Sequence, residues 1–162
     1  MRWFRHLFAP SSRRWFPAGR LQRIAAAITQ GEQHHSGEIC FAVESSLGLR
    51  SVIAGQSARE RALELFARLR VWDTRANNGV LLYLLLAEHR IEIVADRGLE
   101  GRIDSAQWRE VCHLIEQRLQ AGEPEAAIVR GIEAITSLMA GPFPAIPGQR
   151  QDNELPDAPI RL

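Results

Sequence analysis

The sequence contains no lysine, so all 20 of its basic residues are arginine. A formal net charge of +1 gives the chain no overall attraction to nucleic acid, and no motif of an RNA- or DNA-binding module is present. The longest apolar run, from Val80 to Ala87, is far too short to span a membrane. The two cysteines, Cys40 and Cys112, each lie among apolar neighbours, which predicts buried thiols rather than a disulfide framework. We therefore expect a cytoplasmic protein.

Acidic residues are missing from the first 31 positions. Residues 1–17 form a basic, aromatic arm in which arginines alternate with Trp3, Phe4, Leu7, Phe8, Trp15 and Phe16. Such an arm has two interpretations. In the first it is a docking element, which lies weakly on an anionic membrane surface or binds an unidentified, membrane-associated protein partner. In the second its aromatic side chains pack onto the domain. Packing is favoured, because the apolar run is too short and broken to anchor well alone.

The rest of the chain has the composition of a globular domain, with 46% apolar and 24% charged residues. Residues 18–141 form the predicted domain, and residues 142–162 form a proline-rich, extended tail. A capping box at Ser57–Glu60 opens one helix, and Asp104 or Ser105 caps another. Glu38–Glu44, Val80–Leu86 and Ile91–Ala95 are predicted strands, with Leu49–Ile53 a further or edge strand.

The order of these elements predicts the fold class. A strand–helix–strand crossover implies a parallel pair of strands, whereas a two-residue turn at Glu88–His89 implies an antiparallel pair. The expected fold is therefore α/β, with a mixed β-sheet sandwiched between helices (α/β/α).

The predicted hairpin also places polar residues together at one end of the sheet. If Ala87 pairs with Arg90, then Gly79 faces Gly98, and the loops beside these glycines converge. Oxygen-rich side chains of this kind suit Ca²⁺ or Mg²⁺. The candidate metal ligands are Asp73, Asn78, Asp96, Glu100 and Asp104. In the alternative interpretation these are ordinary turn and capping residues, with Arg75 and Arg97 neutralising the carboxylates.

Three segments together resemble the TPM domain: Gly37-Glu-Ile, the run from Asn77 to Tyr83, and the run from Arg90 to Glu100. The similarity extends from about Arg20 to Ala140, and the tail Asn153–Asp157 is similar to that of a bacterial subgroup without membrane segments. The resemblance implies an α/β sandwich and, for some members, a divalent cation near the two glycine motifs. Plant thylakoid members are described as acid phosphatases in photosystem repair, and other members resemble accessory factors of membrane proteins.

The chain departs from the family pattern where Asp96 and Arg97 replace a glycine and an aromatic residue. Arg97 would compete with a cation, or it would hold an anion such as phosphate together with Arg75. The preferred hypothesis is a non-catalytic binding or accessory module with a divalent-cation site at the sheet edge. The alternatives are a metal-dependent hydrolase resembling acid phosphatases and a structural carboxylate cluster without a ligand. No residue is assigned a catalytic role.

Overall fold

The computed structural model describes residues 2–148 and 153–162. Met1, the side chain of Trp3 and residues 149–152, which belong to the predicted arm and tail, lie outside the described residues. The elements, in chain order, are α1 (Arg2–Leu7), α2 (Ser12–Trp15), α3 (Ala18–Gly31), β1 (Glu38–Glu44), α4 (Leu49–Ile53), α5 (Ala58–Arg68), β2 (Gly79–Leu85), β3 (Arg90–Ala95), α6 (Ser105–Gln120), α7 (Pro124–Ala140) and β4 (Ile160–Arg161).

The strands form one mixed sheet in the order β3-β2-β1-β4. Strand β1 runs parallel to β2, with Glu38 opposite Gly79, whereas β2 and β3 are antiparallel. The short strand β4 runs parallel to β1, with Ile160 opposite Ala42. The predicted mixed α/β sheet is therefore confirmed.

Helices cover both faces of the sheet, as predicted. In β2, the even-numbered side chains from Val80 to Leu84 pack with those of α3, α6 and α7, and the odd-numbered ones from Leu81 to Leu85 pack with α5. Every residue of β1 and β2 is buried. Burial on both faces explains why these strands are continuous apolar runs instead of alternating ones.

Local signals set the helix ends correctly. Ser57 and Glu60 form the predicted capping box at the start of α5, in which the Ser57 hydroxyl accepts from the Glu60 N–H at 3.1 Å. Asp104 caps α6, and the side chain of Gln107 closes a second capping box there. Helix α7 begins at Pro124, whose missing N–H is not needed in the first helical turn.

Two local predictions are wrong. Residues Leu49–Ile53 form helix α4 instead of a strand; α4 has no buried residue, so no sheet contact holds these residues in an extended form. The hairpin turn is also longer than two residues. Leu85 pairs with Arg90, and a 3₁₀ turn over Leu86–Glu88 followed by His89 at φ 50° connects them. The pairing of Ala87 with Arg90 is therefore wrong by two positions.

The arm and the tail both contact the domain. Phe16 is fully buried, with its ring centroid 5.7 Å from that of Phe41, whereas Phe8 is 77% exposed. In the tail, Leu155 enters the core beneath α5 and the Leu162 N–H bonds to the Val43 carbonyl at 2.9 Å. Among the described residues, no helix is both long enough and apolar enough to cross a membrane.

Candidate functional site

The loop that leads to Gly79 at the start of β2 and the segment after β3 that contains Gly98 lie against each other, although the hairpin register differs from the predicted one. The Asp96 N–H donates to the Gly79 carbonyl at 2.9 Å, and the Gly98 N–H donates to the Asn77 carbonyl at 2.8 Å. A Cβ at position 98 would overlap the carbonyl oxygens of Ala76 and Asn77, so only glycine permits this approach. The loop before β2 and the segment after β3 therefore form one continuous corner of the molecule.

Two of the predicted ligands, Asn78 and Asp96, line this corner. The Asn78 side chain is fully buried; its amide nitrogen donates to the Ser36 carbonyl at 3.1 Å, and its Oδ1 has no hydrogen-bond partner within the described residues. Asp96 accepts a 2.7 Å hydrogen bond from the Arg97 N–H on Oδ1, and its buried Oδ2 has no such partner. Each residue therefore keeps one oxygen available.

The other predicted ligands have local roles of their own. Asp73 pairs with Arg70 on the surface, and Asp104 accepts from the Ala106 N–H at the start of α6 at 2.6 Å. Glu100 is exposed at the end of a 3₁₀ turn. Arg75 and Arg97 are also exposed, and the Arg75 backbone N–H donates to the tail residue Glu154 at 2.9 Å. The binding of one ion by all five predicted ligands therefore stays a prediction.

A different set of carboxylates does come together. Within residues 2–148 and 153–162, Glu32, Glu38 and Asp157 are the only group of three or more His, Cys, Asp or Glu residues whose ligand atoms all lie within 4.8 Å of one another. Glu32 follows the last turn of α3, Glu38 opens β1, and Asp157 belongs to the tail. We call this group the carboxylate cluster; it could hold a metal ion.

Hydrogen bonds hold each member of the carboxylate cluster in place. Glu32 Oε1 accepts from the Ile39 N–H at 2.9 Å, and Glu38 Oε1 accepts from the Glu154 N–H at 3.1 Å. Asp157 accepts from the Asn153 amide at 2.9 Å and from the Thr29 hydroxyl. These bonds occupy only part of the available oxygens.

Glu38 contributes a carboxylate oxygen that has no hydrogen-bond partner in the described part of the chain. The residue is 5% exposed, and this oxygen, Oε2, is buried. No arginine or histidine of the described residues forms an ion pair with any member of the carboxylate cluster. A buried charge without a counter-charge is costly, so the cluster requires protons or a bound cation.

The pKa shifts agree with that requirement. The pKa of Glu32 is raised to about 9, mainly by burial and also by the neighbouring charges of Glu38 and Asp157, against the opposing hydrogen bond from the Ile39 N–H. Burial likewise raises the pKa of Glu38, with Asp157 and Glu154 adding to the effect. At neutral pH the carboxylate cluster therefore retains a proton, which a divalent cation could displace.

Sequence reasoning missed the carboxylate cluster because its members are far apart in the chain. One local signal was available: Glu38 is a charged residue at the first position of a strand whose interior is buried and apolar. Nothing in the local sequence indicated that Asp157 would return to this point, since the path of the tail depends on its contacts with β1 and α3.

A surface cleft of about 510 Å³ lies between β3 and α6 on the other side of the corner. Asp96 and Glu100 line it together with Arg59 and Arg109. Cys112 also reaches the cleft, where burial raises the pKa of its thiol to about 11. The cleft therefore offers both carboxylates and guanidinium groups, whereas its thiol is protonated at neutral pH and a weak nucleophile.

Comparison with known proteins adds to this geometry. The sequence profile of the TPM domain matches residues 14–138. The NMR structure of the BA42 protein from the psychrophilic bacterium Bizionia argentinensis sp. nov. has a TM-score of 0.77 and 25% identity, covering 90% of this chain and 94% of BA42. The N-terminal domain of a protein from P. gingivalis shares the fold, with a TM-score of 0.67, 17% identity and 86% of each chain covered. No curated protein matches the chain.

Proposed function

Because this chain belongs to the TPM domain family, we propose that it is a non-catalytic binding module of that fold that holds one divalent cation at the carboxylate cluster. The observation that carries the proposal is the buried Oε2 of Glu38, which has no hydrogen-bond partner among the described residues and belongs to a side chain of that cluster. A bound cation would satisfy this oxygen and remove the repulsion among the three carboxylates.

The donor set favours Ca²⁺, with Mg²⁺ as the second choice. All three side chains offer oxygen, the donor that both ions prefer. The three ligand atoms lie within 4.8 Å of one another, close enough to share one ion. Calcium is favoured because it accepts irregular coordination, whereas magnesium requires near-ideal octahedral geometry.

The non-catalytic part of the proposal is supported by what surrounds the cation site. The cluster side chains bind backbone amides, Asn153 and Thr29, and no thiol or histidine belongs to the group. The Cys112 thiol, which lines the cleft, has a raised pKa and is therefore a weak nucleophile at neutral pH. Both cysteines are free, which is consistent with the reducing cytoplasm as the proposed compartment.

Calcium titration followed by two-dimensional NMR tests the proposal. We expect saturable shifts of the amides of Ile39 and Glu154, which donate to the cluster carboxylates. The Glu38→Gln variant should lose these shifts, whereas Asp96→Asn, the matched change at the predicted corner, should keep them. If Asp96→Asn abolished the shifts and Glu38→Gln kept them, the cation site would be assigned to the corner lined by Asn78 and Asp96. The absence of any shift would leave a structural carboxylate cluster that shares protons.

One observation favours a second function, a metal-dependent hydrolase that resembles acid phosphatases. The cleft of about 510 Å³ brings Asp96 and Glu100 together with Arg59 and Arg109, groups that suit a cation and a phosphate. In this alternative, Asp96 Oδ2 and Glu100 bind the cation and an arginine binds the phosphoryl oxygens. Hydrolysis of a phosphate monoester with Ca²⁺, Mg²⁺ or Mn²⁺, compared with the Glu100→Ala variant, tests it. Equal rates for the two proteins would exclude this role of the cleft.

A further inference from the structure

Two polar side chains of helix α1, those of Arg2 and His6, point towards the domain. His6 is 9% exposed; its Nδ1 accepts from the Leu47 N–H at 3.1 Å, and its Nε2 lies 2.8 Å from Glu88. Arg2, one turn earlier, donates to the same Glu88 carboxylate at 2.5 Å. The buried face of α1 is thus held to the domain by hydrogen bonds and an ion pair.

The apolar side chains of the same segment point outward. Phe4 is 43% exposed, Leu7 is 68% exposed and Phe8, just after the helix, is 77% exposed. Their spacing of three and four residues places them on one side of a helical turn. A helix of a soluble domain normally has the opposite arrangement, with the apolar stripe on the core. This inversion is unfavourable in water unless something else covers the apolar side chains.

Helix α4 extends the same surface. It contacts α1 and has no buried residue, and its two largest apolar side chains, Leu49 and Ile53, are 70% and 77% exposed. Arg2 of α1 borders the same shallow depression as Leu49, Val52 and Ile53. We define the apolar face as Phe4, Leu7, Phe8, Leu49 and Ile53. These five residues make up more than half of the large exposed hydrophobic residues in the described part of the chain.

The unpaired charges of α1, α2 and α4 are all positive. Arg5, Arg13, Arg14 and Arg50 are all exposed, and within the described residues none of them forms an ion pair. Elsewhere on the surface, arginines such as Arg23, Arg68 and Arg130 each have a carboxylate partner. No acidic residue precedes Glu32, so α1 and α2 contain no counter-charge of their own, and Arg2 is paired through Glu88 from a distant part of the chain.

We propose that the apolar face docks on an anionic lipid surface. Phe4, Leu7, Phe8, Leu49 and Ile53 enter the boundary between headgroups and acyl chains, and the four arginines bind lipid phosphates around them. Guanidinium groups suit this role because they bind phosphate oxygens in a bidentate manner. Charge decides the choice of occupant. Glu88, the carboxylate bonded to α1, is already paired with Arg2 and His6, so the unpaired arginines leave the surface positive, and a positive surface matches a layer of phosphate groups better than the mixed charges of an ordinary protein surface.

Co-sedimentation of the full chain with vesicles tests this docking. We expect binding to vesicles of phosphatidylglycerol and phosphatidylcholine, little binding to pure phosphatidylcholine, and weaker binding as salt is added. The Leu7→Ser/Phe8→Ser variant should bind at least about tenfold more weakly, because two large apolar side chains no longer enter the lipid. The Arg13→Gln/Arg14→Gln variant should lose about fivefold for each arginine.

Leu63→Ser and Arg68→Gln on α5 are the matched controls. Leu63 is 48% exposed, and both residues lie on a helix outside the apolar face, so neither change should alter vesicle binding. Circular dichroism of each variant checks that the fold is intact. The proposal is overturned if the wild-type chain fails to bind anionic vesicles, which would leave a protein as the occupant of the face. It is equally overturned if the α1 and α2 variants bind as well as the α5 controls.

Discussion

Strand β1 carries a buried glutamate at each end, and the two carboxylates have opposite surroundings. Glu44, at the C-terminal end, accepts two hydrogen bonds of 2.9 Å from the Arg61 guanidinium and one of 2.7 Å from the Tyr83 hydroxyl. Glu38, at the N-terminal end, has carboxylates as neighbours and one oxygen without a partner among the described residues. The two residues are 7% and 5% exposed, so burial alone does not distinguish them.

The difference lies in where the counter-charge comes from. The Arg61 guanidinium is part of the fold, so the charge of Glu44 is neutralised whenever the protein is folded. Among the described residues Glu38 has no such partner, so a proton on the carboxylate cluster or an added cation would compensate its charge. We infer that the Glu38 end of β1 responds to pH and to divalent cations, whereas the Glu44 end is insensitive to both.

The largest effect is expected from Arg61→Met. This change leaves Glu44 buried without its cation and should lower the free energy of unfolding by about 3–5 kcal/mol in urea denaturation. Arg68→Met is the matched control, because Arg68 pairs with Glu64 at an exposed site and should contribute less than about 0.5 kcal/mol. If the two variants were equally stable, the Glu44–Arg61 pair would not be the structural anchor that its geometry indicates.

The next effect is a pH dependence at the Glu38 end. The pKa of Glu32 is raised from 4.5 to about 9 in the folded protein, so between these values the folded state binds a proton that the unfolded state has lost. In chelator, stability should therefore fall as pH rises from about 5 to 9, with a slope of up to about 1.4 kcal/mol per pH unit. Chemical denaturation at several pH values measures the slope. Glu32→Gln should flatten it, and an unchanged slope in that variant would assign the proton to another group.

Glu38→Gln should have a smaller effect, with the sign opposite to that of Arg61→Met. Removing one of three crowded carboxylates should raise stability in chelator by about 1 kcal/mol at pH 8, since less repulsion remains. The same variant should no longer be stabilised by millimolar calcium, whereas the wild type should gain stability through ligand binding. Thermal unfolding with and without calcium measures both quantities. A loss of stability in chelator would mean that the Glu38 charge is already compensated.

The smallest effect concerns the tail. Because Asp157 contributes to the carboxylate cluster and the Glu154 N–H donates to Glu38, calcium should hold the tail against β1 more firmly. Amide hydrogen exchange at Glu154 and Leu162 should slow by about two- to fivefold. The Ala62 amide in α5 serves as the internal control, since no cluster residue contacts it. Equal slowing at all three positions would indicate global stabilisation instead of a local effect on the tail.

Predictions from local sequence patterns succeeded where the interactions are local. The capping box at Ser57–Glu60 involves residues three positions apart, so spacing alone identifies it. Local sequence also placed the cap of α6 at Asp104 or Ser105, and the structure uses Asp104. The buried strands were identified because burial on both faces leaves an uninterrupted apolar run. By contrast, Leu49–Ile53 carries no pattern that distinguishes a short surface helix from a strand.

The candidate site was predicted only in part. The contact between the Asn77–Gly79 and Asp96–Gly98 corners follows from any hairpin register near the expected one, so an error of two positions did not remove it. The path of the tail could not be anticipated, because β4 consists of two residues whose pairing with β1 has no turn to define its register.

The sequence by itself determined the α/β class, the capped helix starts and the basic, aromatic character of the arm, because periodicity, capping and local charge act between near neighbours. Only the tertiary structure decided that Glu38 faces Glu32 and Asp157 while Glu44 faces Arg61. A buried carboxylate takes its partner from whichever distant segment packs against it. The packing of α3, α5 and the tail around β1 therefore determines which of two similar glutamates is left to bind a cation.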